Sequence, residues 1–294
     1  YAKASKVGEV VNFSGLDLKG YVVDYQFSKD ESKVLLILNP EMIYRHSYLA
    51  DCFVYDIATK KITPVAKEKV RLAEFSPNSQ KVAYVSNNNI FIFDLASLQT
   101  KQITTDGEYN HIINGTTDWV YEEEFAITKG FFWSNDSEKI AYYKFDESKV
   151  KQFSMTIYGD LYPEEYIYKY PKAGEDNSVV EIFVYDLKND KTNHIDMGLN
   201  KDIYLPRLQW TPNDEVFIHK LNRHQNQYEL FIASTNDFKP KKIYEERNQY
   251  YIEQVEDVVF LNDKKHFILK SERNGYMNLY KIGIYDRSID PITQ

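Results

Sequence analysis

Glu122, Glu123 and Glu124 stand side by side near the end of NGTTDWVYEEEF, the stretch from Asn114 to Phe125. Adjacent like charges repel, so the run is unfavourable unless something offsets the repulsion. Two explanations are open. Thr117 or Asp118 can cap a short helix here, and the helix dipole favours carboxylates in its first turns. Alternatively, the cluster is a receptor for a cation. Other chemistry has little foothold in these residues. The Gly-x-Ser-x-Gly turn that presents a nucleophilic serine is absent, and so is His-Glu-x-x-His. The six histidines, at 46, 111, 194, 219, 224 and 266, are dispersed, and the pair His219 and His224 has no Cys or carboxylate pattern beside it. No Gly-rich phosphate loop, Ca²⁺ loop or CxxC occurs, so the residues imply neither metal nor cofactor and no complete catalytic apparatus.

The elements that must hold the glutamates are strands. The 25 Tyr and 17 Phe against 11 Gly favour pleated sheet, where aromatic side chains pack well. Five times an aromatic residue is followed by a polar turn and a hydrophobic strand: FSKDESKVLLI from Phe27, FSPNSQKVAYV from Phe75, WSNDSEKIAYY from Trp133, WTPNDEVFIHK from Trp210 and FLNDKKHFILK from Phe260. The anchors are 48, 58, 77 and 50 residues apart, near the roughly 40–50 of a propeller blade apart from two enlargements. A second strand follows in each copy: FVYDI, NIFIFDL, EIFVYDL, ELFIAST and NLYKIGIYD. Pro77 and Pro212 mark the turns. The pattern predicts an all-β chain, a β-propeller of about five four-stranded blades, with a β-sandwich as the alternative. Two stretches break the rhythm. One is the glutamate stretch, expected to be a short helix. The other, Asp146 to Val179, is too long and too aromatic for a loop and is expected to be an extended hairpin arm. No linker or low-complexity tract divides the chain.

Bulk properties narrow the partners. A formal charge of −8 with dispersed Lys and Arg speaks against nucleic acid or an anionic membrane, and suits a cationic ligand. The single Cys52 cannot form an internal disulfide. No apolar run reaches the ~18–20 residues of a membrane span, and Tyr1 reads as a cut within a longer chain. Asn-x-Ser/Thr patterns begin at Asn12, Asn114 and Asn135.

DWVYEEEF, taken with YRHSY at Tyr44 to Tyr48 and YPKAG at Tyr170 to Gly174, resembles the dipeptidyl peptidase IV family in order and spacing. The resemblance runs from GYVVDYQFSKD near the start to SERNGYMNLYKI near the end. It implies an eight-bladed propeller over an α/β-hydrolase domain. Residues 1–294 would then be a partial propeller with two uncovered blade faces, and the catalytic serine, histidine and aspartate would lie beyond Gln294. It also implies that Glu123 and Glu124 clamp the free α-amino group of a peptide, and that Arg45 bonds the carbonyl oxygen of the peptide's second residue. The parent would release N-terminal X-Pro or X-Ala dipeptides, this portion being inactive alone. Its partners would be peptides with a free N-terminus, the hydrolase domain of the same polypeptide, and a second copy through the 146–179 arm. The lack of disulfide cysteines resembles bacterial members, so an exported, periplasmic or envelope-associated parent in a Gram-negative bacterium is expected. Phe125-Ala126-Ile127 departs from the family pattern, and no pocket segment can be matched near Tyr250 to Asp257. The rival is a WD-repeat or TolB-like propeller serving as an interaction scaffold.

Overall fold

In the computed structural model, which describes residues 11, 18–253 and 256–293, every copy of the repeat folds alike. A strand ends on the aromatic anchor, at Phe27, Phe75, Trp133, Trp210 or Phe260, and the chain reverses after it. The reversal is a hydrogen-bonded β-turn in all five copies. Glu31, Ser79, Ser137, Asp214 and Lys264 donate their backbone N–H to the carbonyls of Ser28, Ser76, Ser134, Thr211 and Leu261, at 2.8–3.0 Å. Those five donors all have φ between 56° and 63°. Where the turn begins with serine, its hydroxyl donates to the residue two ahead, Asp30, Asn78 or Asp136, which braces the reversal.

The first sheet is β1 (Val22–Phe27), β2 (Lys33–Met42), β3 (Tyr48–Asp56) and β4 (Ile62–Pro64); the second is β5 (Arg71–Phe75), β6 (Lys81–Ser86), β7 (Asn89–Asp94) and β8 (Thr100–Gln102). The third begins with β9 (Ile112–Asn114), passes through α1 (Trp119–Phe125), and resumes with β10 (Phe131–Trp133) and β11 (Lys139–Asp146). A separate hairpin, β12 (Gln152–Ile157) and β13 (Glu164–Lys169), follows before β14 (Val179–Asp186) and β15 (Lys191–Ile195) complete that sheet. The fourth holds β16 (Ile203–Tyr204), β17 (Leu208–Trp210), β18 (Val216–Asn222), β19 (Gln227–Ala233) and β20 (Pro240–Arg247). The fifth holds β21 (Val259–Phe260), β22 (His266–Ser271), β23 (Asn278–Gly283) and β24 (Ile289–Pro291). These are five propeller blades, with the predicted helix and arm in the third.

The described residues through Ser86, with Ile90–Gln102, form one compact unit; Asn87–Asn89 and those from Ile103 onward form the other. The sequence carries no linker at this division. Within the second unit neighbouring sheets are stapled by polar side chains. The Trp210 indole N–H donates to Phe132 O (2.9 Å), and the Gln209 amide brackets the N–H and C=O of Val258 at 3.1 Å each. The first unit uses the same device, with Gln26 Oε1 accepting from Phe75 N–H at 3.3 Å. Strands such as β18 are buried on both faces, whereas Tyr21 just before β1 and Val23, Tyr25 and Phe27 along it are exposed.

Candidate functional site

The leading edge of β11 carries two short strands instead of one. β9 pairs with its C-terminal half, Ile112 opposite Asp146, and β10 with its N-terminal half, Phe131 opposite Tyr142. Between them, residues 115–130 leave the sheet and return through a closed neck. Gly115 N–H donates to Tyr143 O (3.0 Å), Tyr143 N–H to Gly130 O (2.8 Å), and Gly130 N–H to Gly115 O (3.1 Å). Two threonines extend the zip: Thr116 Oγ1 donates to Thr128 O (3.0 Å) and Thr117 Oγ1 to Ile127 O (2.7 Å). A Cβ on Gly130 would lie 2.8 Å from both N and O of Thr116, so the neck closes only because that position is glycine.

α1 is the head of this loop. Asp118, of the two candidate caps, is the N-cap: its backbone is extended and its Oδ1 accepts from Tyr121 N–H at 3.0 Å. Ala126 ends the helix in the left-handed region, with φ 53° and ψ 40°, a conformation that glycine adopts at less strain. Seven residues form a weak helix by themselves, so tertiary anchors must hold it. Tyr121 and Phe125, one turn apart, face the core. The Tyr121 ring meets Phe145 at 4.8 Å, Phe125 meets Tyr204 at 5.2 Å, and the Tyr121 hydroxyl accepts from Leu205 N–H at 2.8 Å. With that face fixed, the glutamates separate. Glu122 is fully buried, Glu123 is half-buried and Glu124 is exposed. Successive helical residues point about 100° apart, so Glu123 points away from the Tyr121–Phe125 face with Glu122 and Glu124 on its two flanks, and of those flanks the one carrying Glu122 is buried and the one carrying Glu124 is open.

The arm's root packs against the same helix. Trp119 meets Tyr170 at 4.4 Å and Tyr168 at 6.3 Å, and Phe153 adds a third ring to Tyr170 at 5.5 Å. DWVYEEEF and YPKAG, separate in sequence, are thus joined ring to ring. Ser178 Oγ donates to Asp118 Oδ2 at 2.6 Å. Burial lifts the Asp118 carboxyl above the ordinary aspartate range, while the bonds from Ser178 and Tyr121 pull it back. Glu147, the first residue after β11, is pushed up to about 7 by burial and then by the Asp118 charge, against the pull of Lys169. Burial also raises the Tyr168 hydroxyl, with contributions from Tyr170 and then Glu123, which sets Glu123 within electrostatic reach of the arm. The arm's five tyrosines divide: Tyr158 and Tyr162 at its tip are about four-fifths exposed, at 82% and 80%, whereas Tyr168 is 7% exposed.

Arg45 lies in the first unit, exposed in the turn between β2 and β3, where Ile43 N–H donates to Ser47 O at 2.8 Å. Glu123 and Glu124 are therefore brought together on one helix, and Arg45 stands on the other unit. The histidine pair is not a ligand pair: His224 is exposed, while His219 is fully buried with Nδ1 at 2.8 Å from the Tyr228 hydroxyl, and burial lowers it to about 3. Among the described residues no group of His, Cys, Asp and Glu could hold a metal ion. Asn114 is fully buried and unsuited to carry a glycan, Asn135 donates to Thr211 O, and Asn12 lies outside the described residues. Trp119, Tyr170, Ser178 and Glu147 were not singled out in the sequence as site residues. The signal available for Tyr170 was its place in YPKAG; for Ser178 and Glu147 there was none.

Residues 28–294 match a family model described as the dipeptidyl peptidase IV (DPP IV) N-terminal region. The chain is 31% identical over 268 residues to dipeptidyl aminopeptidase B of Saccharomyces cerevisiae, covering 88% of this chain and 32% of that protein. It is 30% identical over 281 residues to dipeptidyl peptidase 4 of Trichophyton tonsurans, covering 89% and 36%. The crystal structure of Porphyromonas gingivalis dipeptidyl peptidase 4 superposes with a TM-score of 0.94 at 34% identity, over 100% of this chain and 43% of that one. The chain spans about a third of the length of the curated relatives it matches.

Proposed function

The chain belongs to the dipeptidyl peptidase IV N-terminal-region family, and on that premise we propose that it is the substrate-gating, N-terminus-recognising propeller of a serine dipeptidyl peptidase. In this reading Glu123 and Glu124 receive the peptide's α-ammonium, and Arg45 donates to the carbonyl of its second residue. The hydrolase domain, elsewhere in the same polypeptide, releases X-Pro or X-Ala dipeptides by acyl transfer. Fixing the chain end at a set distance from a serine makes a two-residue ruler, and orientation of this kind lowers the barrier substantially.

The observation that carries the reading is the sorting on α1: one glutamate of three is buried, and the two the family motif assigns to substrate reach the surface. An ammonium offers three donors and distinguishes a chain end from chain interior. Two carboxylates on one anchored helix repel until a cation enters between them. The exposed tip of the arm, with Leu161 at 90% exposure beside Tyr158 and Tyr162, suits the self-association assigned to the 146–179 arm. The lone, buried Cys52 fits an exported bacterial parent that relies on its core without disulfides.

The test is steady-state kinetics of the intact parent on a dipeptide chromogenic substrate. Glu123→Gln or Glu124→Gln should each lower kcat/KM by roughly one to two decades, the worth of a charge-assisted bond of about 1.5–3 kcal/mol. Glu122→Gln should change it little. Equal losses at all three positions would mean that the cluster is structural.

A further inference from the structure

The roots of the arm and the glutamate helix meet at one buried contact. Asp118 uses both carboxylate oxygens, Oδ1 for the helix cap and Oδ2 for the Ser178 hydroxyl at 2.6 Å. Ser178 is the last residue before β14, on the returning side of the arm. On the outgoing side Glu147 is buried directly after β11, its N–H donating to His111 O (2.8 Å) and its carbonyl accepting from Val150 N–H (3.0 Å). The two sides are tied to each other: Lys169 Nζ donates to Val150 O (2.7 Å) and Tyr170 N–H to Lys151 O (3.0 Å). The charged groups facing Glu147 are Asp118 from the helix cap, Lys169 from β13, Asp146 from β11 and His111 from the segment before β9.

We propose that Ser178 and Glu147 are positioning residues for the amine clamp, acting on Glu123 and Glu124 through Asp118. The inference rests on the amine-recognition reading above. A seven-residue helix takes its direction from its ends, because it has too few internal bonds to fix itself. Asp118 caps best as an anion, and burial opposes that charge. The Ser178 hydroxyl, donated to the charged form, restores it. Glu147, buried at the outgoing root of the arm, assists while it keeps its proton, because no second anion then adds to the Asp118 charge. When Glu147 ionises, as pH rises through about 7, the repulsion falls on the cap and the glutamates it aims shift.

The experiment uses the intact parent with a free-amine dipeptide substrate, and compares Ser178→Ala, Ser178→Thr, Glu147→Gln and, as the control for the clamp, Glu123→Gln. Ser178→Ala should raise KM roughly threefold to tenfold with kcat changed less than about twofold, and Ser178→Thr, which keeps the hydroxyl, should restore KM. The substrate amine titrates near 7.7–8.0 in every variant, so the informative quantity is the ratio of wild-type KM to that of Glu147→Gln. That ratio should be constant below about pH 6 and climb through about 7. If Glu123→Gln raises KM while Ser178→Ala leaves it unchanged and the ratio stays flat from about pH 5.5 to 8.5, positioning is refuted and the clamp stands. If Glu123→Gln also leaves KM unchanged, both are refuted.

Discussion

The third and fourth sheets break their leading strand at the same point, and the two breaks are filled in opposite ways. β9 and β10 share β11 as β16 and β17 share β18. Tyr143 N–H donates to Gly130 O at one break and His219 N–H to Arg207 O, 3.1 Å, at the other. The fourth-sheet break is only residues 205–207, and all three are buried. The third-sheet break runs over residues 115–130, closes on itself with backbone bonds, and holds a helix that presents carboxylates outward. The same interruption is core when short and, when long enough to form its own neck, carries the helix to which the proposed function assigns amine recognition. A blade can therefore gain a site without disturbing the ladder that carries it.

The fourth-sheet break and the arm root beside the third-sheet loop should also respond oppositely to pH, and this gives the largest expected effect. His219 is held neutral by burial, its value lowered from 6.5 to about 3. Between those values the unfolded chain takes up a proton that the folded chain refuses, so stability is full above about 6.5 and falls as pH drops. The loss should reach roughly 3–5 kcal/mol by about pH 3, at 1.36 kcal/mol per unit. His219→Asn, which keeps an acceptor for Tyr228, should flatten the acid limb in urea unfolding. Glu147 has the reverse sign. Its folded value of about 7 exceeds the ordinary 4.5, so its contribution is full below about 4.5 and is lost as pH rises toward 7. The size is about 3 kcal/mol, and Glu147→Gln should remove that slope. A change of slope of the same sign in both variants would break the comparison.

The neck supplies the next effect. Gly130→Ala forces a methyl into Thr116 backbone and should cost about 1–3 kcal/mol, together with amine recognition, because α1 must shift. Gly159→Ala, at an open position in the arm, should stay within about 0.5 kcal/mol. Equal urea midpoints for the two would show that the neck does not constrain the loop. Smallest of all, Ala126→Gly relieves the left-handed C-cap and should stabilise the helix by about 1 kcal/mol or less, read as a small rise in thermal midpoint.

Much of this was legible in the sequence, and for identifiable reasons. Four of the five repeats write their turn in the same local chemistry, a Ser or Thr with Pro, Asn or Asp after an aromatic anchor, so strand ends at Phe75, Trp133 and Trp210 could be read directly. Asp118 was readable as a cap because capping is local as well. The broken strand edge was not, since the neck is built from backbone bonds between Gly115 and Gly130, which leave only glycines as a trace. Nor did the sequence separate arm root from arm tip: Tyr158 and Tyr168 are the same residue type, and only Tyr168 is buried, among Trp119, Phe153, Tyr166 and Tyr170. Ser178 and Glu147 matter through one long-range partner, Asp118, which no spacing rule records.

The central claim is that α1 reads a positive chain end, and discrimination against a blocked end tests it most directly. The measurement is the ratio of kcat/KM for a free and an N-acetylated dipeptide substrate, in the intact parent and in its Glu123→Gln, Glu124→Gln double variant, with folding confirmed by circular dichroism. The wild type should prefer the free amine by roughly two decades or more, and the double variant should lose at least one decade of that preference. An unchanged preference in the folded double variant would contradict the account.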